Sequence, residues 1–154
     1  MRIGTRLAID PGTTRVGVAK SDPSGEIAFG VLTLPRETAV EAICKLVNEW
    51  DVSEVIVGHP ISLKGRKTAS TIDAEHLGVE LAKRIEVPVR LLDERLTTEQ
   101  AKAALRLAGK QERSQRNIID QAAAAGLLQH ALDSEKLQGV VPGRLIDVNG
   151  LRDD

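Results

Sequence analysis

The stretch from Leu7 to Lys20, LAIDPGTTRVGVAK, restricts the fold more than any other part of the sequence. Its first three residues, Leu7–Ile9, form an apolar run that is long enough for a buried strand and too short for a helix. Asp10 ends this run, and the following segment, Pro11–Thr14, has the residue types of a tight turn. Valines alternating with small residues come next and predict a return strand, so we expect a hairpin. Asp10 either initiates the turn or directs a carboxylate into a site, and this stretch is compatible with both interpretations.

Composition and charge limit the classes of protein to which the chain can belong. The 154 residues are 42% hydrophobic and 28% charged, which is typical of one globular domain and not of a disordered or fibrous chain. No apolar run approaches the roughly 20 residues of a membrane span, and the single cysteine, Cys44, allows no internal disulfide. We therefore expect a cytoplasmic protein without a membrane partner. Because the net charge is −1, local cations must bind any nucleic acid, and one Phe, one Trp and no Tyr exclude a base-stacking platform.

The pattern of apolar residues predicts the element order β-β-β-α-β-α-β-α-α. Three strands joined by short turns, the third at Ile27–Leu34, indicate an antiparallel meander. The next two strands each follow a helix and should join the sheet in parallel. We therefore expect an α/β fold with a five-stranded mixed sheet flanked by helices. The later strands are predicted at 52–58 and 87–92, and the helices at 37–50, 68–84, and in segments opening at Thr97 and Ser114.

Residues 1–138 should form one domain, and residues 139–154 read as a C-terminal tail with one short strand. Pro142, Gly143 and Gly150 fall in this tail, and such residues favour turns over regular structure. No internal repeat or second domain is visible in the sequence.

Three acidic positions are candidates for a common site. Asp10 and the neighbours Asp93 and Glu94 follow strands, at the carboxyl ends where open α/β sheets form their sites. Strand alternation sends Asp93 and Glu94 to opposite faces, so only one of them can join Asp10, and the apolar pattern does not choose between them. Asp120 lies on the stripe of the last helix that should face the sheet, where a carboxylate is costly unless it is paired or bound to a cation. Each aspartate taken singly is also compatible with a structural salt bridge.

Three converging acids repel one another, and hard divalent cations with oxygen ligands relieve that repulsion. Two such ions about 4 Å apart activate water and stabilise the leaving oxygen in phosphodiester cleavage. We therefore expect Mg²⁺ or Mn²⁺ as the cofactor and a nucleic acid as the substrate. The expected phosphate contacts are Thr13, Thr14, Arg15, Lys64, Arg66, Lys67 and Arg95, with further cations at Lys102, Arg106, Lys110, Arg113 and Arg116.

Four motifs resemble those of the YqgF/RuvX family of RNase H-like nucleases. They are DPGTTRVGVA at 10–19, VIVGHP at 55–60 with Gly65, DERLTT at 93–98 and IDQAAA at 119–124. The agreement in order and spacing runs from Leu7 to Leu132. The resemblance implies an RNase H-like fold and a metal-dependent endonuclease that processes the 5′ end of pre-16S rRNA or resolves Holliday junctions. It also implies that Asp10, Glu94 and Asp120 are the catalytic and metal-binding residues.

One position departs from the family, which commonly has an apolar residue where this chain has His59. We expect His59 to be a solvent-exposed loop residue, and the alternative is an additional ligand or proton carrier at the rim of the site.

Two other classes of protein also remain open. The segment Asp10–Thr14 resembles the phosphate-binding hairpin of actin, Hsp70 and sugar kinases, although those ATPases need two such domains and this length supplies one. A non-catalytic RNase H-like module that binds nucleic acid is the second alternative. RNA and DNA substrates, and monomeric and homodimeric states, are all compatible with the sequence.

Overall fold

The computed structural model describes residues 3–62, 64–96, 116–147 and 150–151, and its centre is one mixed β-sheet. The strands are β1 (Thr5–Pro11), β2 (Arg15–Ser21), β3 (Ala28–Pro35), β4 (Val52–His59), β5 (Val89–Asp93), β6 (Arg144–Asp147) and β7 (Gly150–Leu151). The α-helices in the described residues are α1 (Ala39–Glu49), α2 (Ala69–Arg84) and α3 (Arg116–Gln138). Short 3₁₀ turns, Arg36–Thr38 and Glu94–Leu96, precede α1 and follow β5.

The sheet has the order β3-β2-β1-β4-β5-β6-β7. β1, β2 and β3 pair antiparallel, and β4 and β5 join β1 in parallel, so the predicted meander and parallel strands are confirmed. The strand count of five was wrong, because β6 and β7 extend the sheet beyond β5. These strands are too short to show a periodic pattern, and β6 is recruited by a long-range pairing in which Ile146 lies opposite Val89.

The helix predicted from Thr97 lies outside the described residues, as does the start of the last helix at Ser114. The cations Lys102, Arg106, Lys110 and Arg113 fall in the same segment, and the side chain of Arg116 is not described either. None of the helices in the described part of the chain is long and apolar enough to cross a membrane.

Two apolar layers cover the faces of the sheet. Leu7 and Ile9 of β1 point toward α1 and α2, and Ala8 points toward α3, because alternate residues of a strand face opposite sides. On β1 and β2 the face beneath α3 has small residues, among them Ala8, Gly17 and Ala19, which let the helix lie close to these strands. Gly17 of β2 marks the closest approach, since a β-carbon there would overlap the backbone carbonyl oxygen of Asp120.

A row of buried and half-buried charged side chains lies on the same face of the sheet, at the end away from Asp120. Arg6, Glu54 and Arg90 come from β1, β4 and β5, and Arg90 Nε lies 3.4 Å from the Glu54 carboxylate. Arg6 reaches the last turns of α3, where its Nη2 lies 3.7 Å from the carboxylate of Glu135. This ionic contact ties the C-terminal part of α3 to the sheet and so helps to set the axial position of the whole helix.

Candidate active site

Strand alternation brings Asp10 and Glu94 to the same face of the sheet. Ala8 and Leu92 both belong to the layer beneath α3. Asp10 and Glu94 each lie two residues further along, and residues two apart in a strand share a face. β4 runs between them, and its residue at this level is Gly58. A β-carbon on Gly58 would overlap the carboxylate of Glu94. The missing side chain therefore opens the space through which Glu94 reaches Asp10.

Asp10 and Glu94 are joined by a hydrogen bond between their side chains. Burial raises the pKa of Glu94 to about 9, and the hydrogen bond to Asp10 and the negative charges of Asp10 and Asp93 add to the shift. Burial also raises the pKa of Asp10, against the effect of the hydrogen bond from Glu94 and with the help of the negative charge of Asp120. At neutral pH the Asp10–Glu94 pair therefore keeps a proton between its two carboxyl groups.

Asp120 completes the acidic cluster from the other side. The close approach of α3 at Gly17 places it beside Asp10, because Gly17 and Asp10 are register partners in β2 and β1. Its Oδ2 accepts a hydrogen bond from Nε of Arg15 at 2.7 Å, and this ion pair is partly exposed. The structure thus brings the three acids that the sequence singles out to one end of the sheet.

Asp93, the neighbour of Glu94, lies on the opposite face and does not join the cluster. Its Oδ2 is 2.6 Å from Nη2 of Arg95, and the hydrogen bond with Arg95 lowers the pKa of the Asp93 carboxyl. The backbone N–H of Arg95 also donates to Asp93 Oδ1 at 2.9 Å. These contacts between Asp93 and Arg95 restrain the backbone on both sides of Glu94.

The donor chemistry of the cluster is suited to a hard divalent cation. Within the described residues no three His, Cys, Asp or Glu side chains stand in a ready metal-binding arrangement. Asp10 and Glu94 are hydrogen-bonded to each other, and Asp120 is paired with Arg15. Three carboxyl groups, two of them with raised pKa values, are nevertheless the oxygen ligands whose burial and repulsion a cation would offset. Asp10, Glu94 and Asp120 therefore offer the donor chemistry of a hard divalent cation.

The expected phosphate contacts fall into two groups. Three of the cations, Arg15, Lys67 and Arg95, already form ion pairs with acids of this chain. The others are exposed and make no ion pair with another described residue; they are the side chains of Lys64 and Arg66, with the hydroxyls of Thr13 and Thr14 in the exposed β1–β2 turn. Phosphate can reach the second group without first displacing a carboxylate.

His59 is a buried strand residue, so the expectation of an exposed loop histidine was wrong. It is the last residue of β4, its side chain is only 3% exposed, and its Nε2 lies 2.8 Å from Oε2 of Glu75 in α2. Alternation with Val57 turns it toward α2 and away from Asp10, so it is not positioned as an additional ligand. Extending the alternation from Val57 to His59 was the sequence signal that could have revealed this.

Comparisons with known proteins agree on one family. A family model described as the Holliday junction resolvase RuvX matches residues 4–134. Relatives named pre-16S rRNA nucleases, from Clavibacter michiganensis subsp. michiganensis and Thermobifida fusca, are 48% and 45% identical. The alignments cover 100% and 96% of this chain and 98% of each relative.

A solved structure, RuvC of Thermus thermophilus in complex with a Holliday junction substrate, superimposes with a TM-score of 0.62 at 16% identity. The superposition covers 90% of this chain and 99% of that chain. This likeness confirms the RNase H-like fold.

Proposed function

The chain belongs to the RuvX family, and from this membership we propose that it is a metal-dependent endonuclease that processes the 5′ end of the 16S rRNA precursor. Its relatives at 45–48% identity over nearly the whole chain carry the name of that nuclease. The observation that supports the proposal most is the convergence of Asp10, Glu94 and Asp120 at the carboxyl ends of the strands. Such work would take place in the cytoplasm, which agrees with a chain that contains a single cysteine.

The three acids would hold the cation between the sheet and α3. When bound there, Mg²⁺ or Mn²⁺ would polarise the scissile phosphate and lower the pKa of an attacking water. The proton held by the Asp10–Glu94 pair must leave before both of its carboxyls can act as anionic ligands. Arg15, which neutralises Asp120 in this arrangement, is then free to turn its guanidinium toward a phosphate oxygen of the substrate.

Recognition of the substrate rests on its backbone. The cations available for this contact are Arg15, beside Asp120, and the exposed Lys64 and Arg66 in the segment between β4 and α2. Contacts of this kind position a nucleic acid without reading its bases, and structured RNA is recognised largely by shape, 2′-hydroxyl and phosphate. A folded ribosomal precursor is a substrate of that kind.

Resolution of four-way DNA junctions is the second candidate function. The description of the matching family and the RuvC fold favour it. Symmetric cleavage of a junction needs two sites related by a two-fold axis, hence a homodimer, whereas trimming an RNA precursor is open to a monomer. A non-catalytic module is disfavoured because all three acids are present.

The test is to incubate the protein, with Mg²⁺ or Mn²⁺, with a 16S precursor fragment and a four-way junction in parallel. We expect cleavage of the RNA at its 5′ side, abolished in Asp10→Asn and retained in Glu80→Gln, an acid-to-amide control at an exposed position of α2. Cleavage of the junction alone would support the second candidate, and cleavage of neither would contradict the nuclease proposal.

A further inference from the structure

The segment between β4 and α2, described at residues 60–62 and 64–67, is a small loop closed by backbone hydrogen bonds among these residues. Ile61 and Lys67 form a β-bridge at its base. Within it, Gly65 N donates to Ser62 O at 2.8 Å, and Ser62 N donates to Arg66 O at 3.0 Å. Gly65 has a φ of 80°, a left-handed conformation that glycine adopts without strain. The exposed cations Lys64 and Arg66 therefore lie on a loop whose backbone conformation is fixed by hydrogen bonds.

Glu75 of α2 ties together the two ends of this loop. Its Oε2 is 2.8 Å from Nε2 of His59, the residue just before the loop, and 2.9 Å from Nζ of Lys67, its last residue. The two partners differ in burial, since the side chain of His59 is 3% exposed and that of Lys67 is 55% exposed. The hydrogen bond between Glu75 and the buried imidazole is thus the stronger of its two contacts, because water competes for the ammonium of Lys67 and not for the ring of His59.

The other side of the loop faces the strand that leads to the acidic cluster. Arg95 Nη1 lies 3.5 Å from the carbonyl oxygen of Ser62, and the same guanidinium is held by Asp93. Asp93 is in register with His59 across the parallel pair of β4 and β5. The loop is therefore held between Glu75 of α2 and Arg95, the residue that directly follows Glu94 in the chain.

We propose that His59 is a positioning residue for nucleic-acid binding, and that its hydrogen bond to Glu75 holds the loop of residues 60–67 so that Lys64 and Arg66 contact substrate phosphates. This inference rests on the proposed function, since it assigns a role in binding the same substrate. With an apolar side chain at position 59, Glu75 keeps the exposed Lys67 as its ionic partner among the described residues, and the base of the loop loses its buried hydrogen bond.

Two uncharged substitutions separate the hydrogen bond from other effects. His59→Leu removes it, and His59→Gln keeps an amide nitrogen that can donate to Glu75. Binding is measured in EDTA, so that cleavage does not interfere, at one fixed salt concentration, with a fluorescein-labelled RNA hairpin and a labelled four-way DNA junction as probes. We expect His59→Leu to weaken binding roughly 3- to 10-fold, the range for one lost hydrogen bond, and His59→Gln to restore it.

A double-mutant cycle shows whether His59 acts through the loop. In the background Lys64→Ala/Arg66→Ala, which removes the phosphate contacts, His59→Leu should weaken binding no further. An undiminished effect in that background, or unchanged affinity in His59→Leu accompanied by a lower melting temperature, overturns the inference and leaves the proposed function intact. Failure of the unmodified protein to bind either probe overturns the proposed function itself.

Discussion

At the scale of single residues, the Asp10–Glu94 pair makes stability depend on pH. The pKa of Glu94 is about 9 in the folded protein, against an ordinary value of 4.5. Between these values the folded state keeps a proton that the unfolded chain has released, so the free energy of unfolding of the metal-free protein should decrease as pH rises from about 5 to about 9. Urea unfolding in EDTA should show this slope, and Glu94→Gln should lose most of it. An equal slope in Glu94→Gln would show that other groups cause it.

Amide substitutions should also distinguish Asp10 from Asp120. Asp10→Asn removes a buried charge and keeps the hydrogen-bonding shape, so the metal-free protein should be as stable as the parent or about 1 kcal/mol more stable. Asp120→Asn loses a partly exposed ion pair with Arg15 and should cost up to about 1 kcal/mol. Both should reduce cleavage by several orders of magnitude. Thermal melts in EDTA check the two stability changes. A large loss of stability in Asp10→Asn would show that Asp10 holds the fold together through a salt bridge or hydrogen bond.

The neighbours Asp93 and Glu94 should separate in activity assays. Glu94→Gln should abolish cleavage, because it removes a carboxylate that faces Asp10. Asp93→Asn only weakens the contact with Arg95 on the other face and should cost less than about tenfold in kcat/KM. The assay is cleavage of the better substrate under the same metal conditions. Loss of activity in Asp93→Asn with activity retained in Glu94→Gln would reverse the assignment.

At the scale of elements, the packing of α3 on β2 decides whether the site exists. Gly17→Ala forces a methyl group against the backbone of Asp120, and backbone cannot yield as a side chain can. We expect a loss of about 1–3 kcal/mol in unfolding free energy and a fall in activity larger than the unfolded fraction explains. Gly78→Ala in α2 is the matched control, since its methyl meets side chains alone, the movable tip of Ile146 and Leu91 Cδ2 at an ordinary 3.6 Å, and the helix gains propensity. Equal effects of the two substitutions would contradict this role of Gly17.

At the scale of the whole molecule, metal binding should be coupled to the proton on Glu94. A cation that binds the folded state raises its stability, and one that must displace a proton binds more weakly at low pH. The increase in melting temperature caused by Mg²⁺ or Mn²⁺ should therefore be larger at about pH 8.5 than at about pH 6.5. Glu94→Gln should remove most of the increase and Asp93→Asn should keep it. A pH-independent increase that survives in Glu94→Gln would place the cation elsewhere.

The order of strands and helices was readable from the sequence because it depends on local periodicity. The hairpin around Asp10, the parallel strand predicted at 52–58 and the helix predicted from Thr68, which is the N-cap of α2, follow from apolar patterns and turn residues. The choice of Asp10, Glu94 and Asp120 came from strand ends, from a helix stripe and from the resemblance of the motifs.

Tertiary structure alone decided how these acids meet. The gap at Gly58, the contact at Gly17 and the ion pair of Arg15 with Asp120 depend on residues far apart in sequence. The burial of His59 against Glu75 and the recruitment of β6 likewise arise from packing between elements. A sequence pattern predicts which face of a strand or helix a side chain lies on. Which residues of other elements it contacts is decided only when the elements pack together.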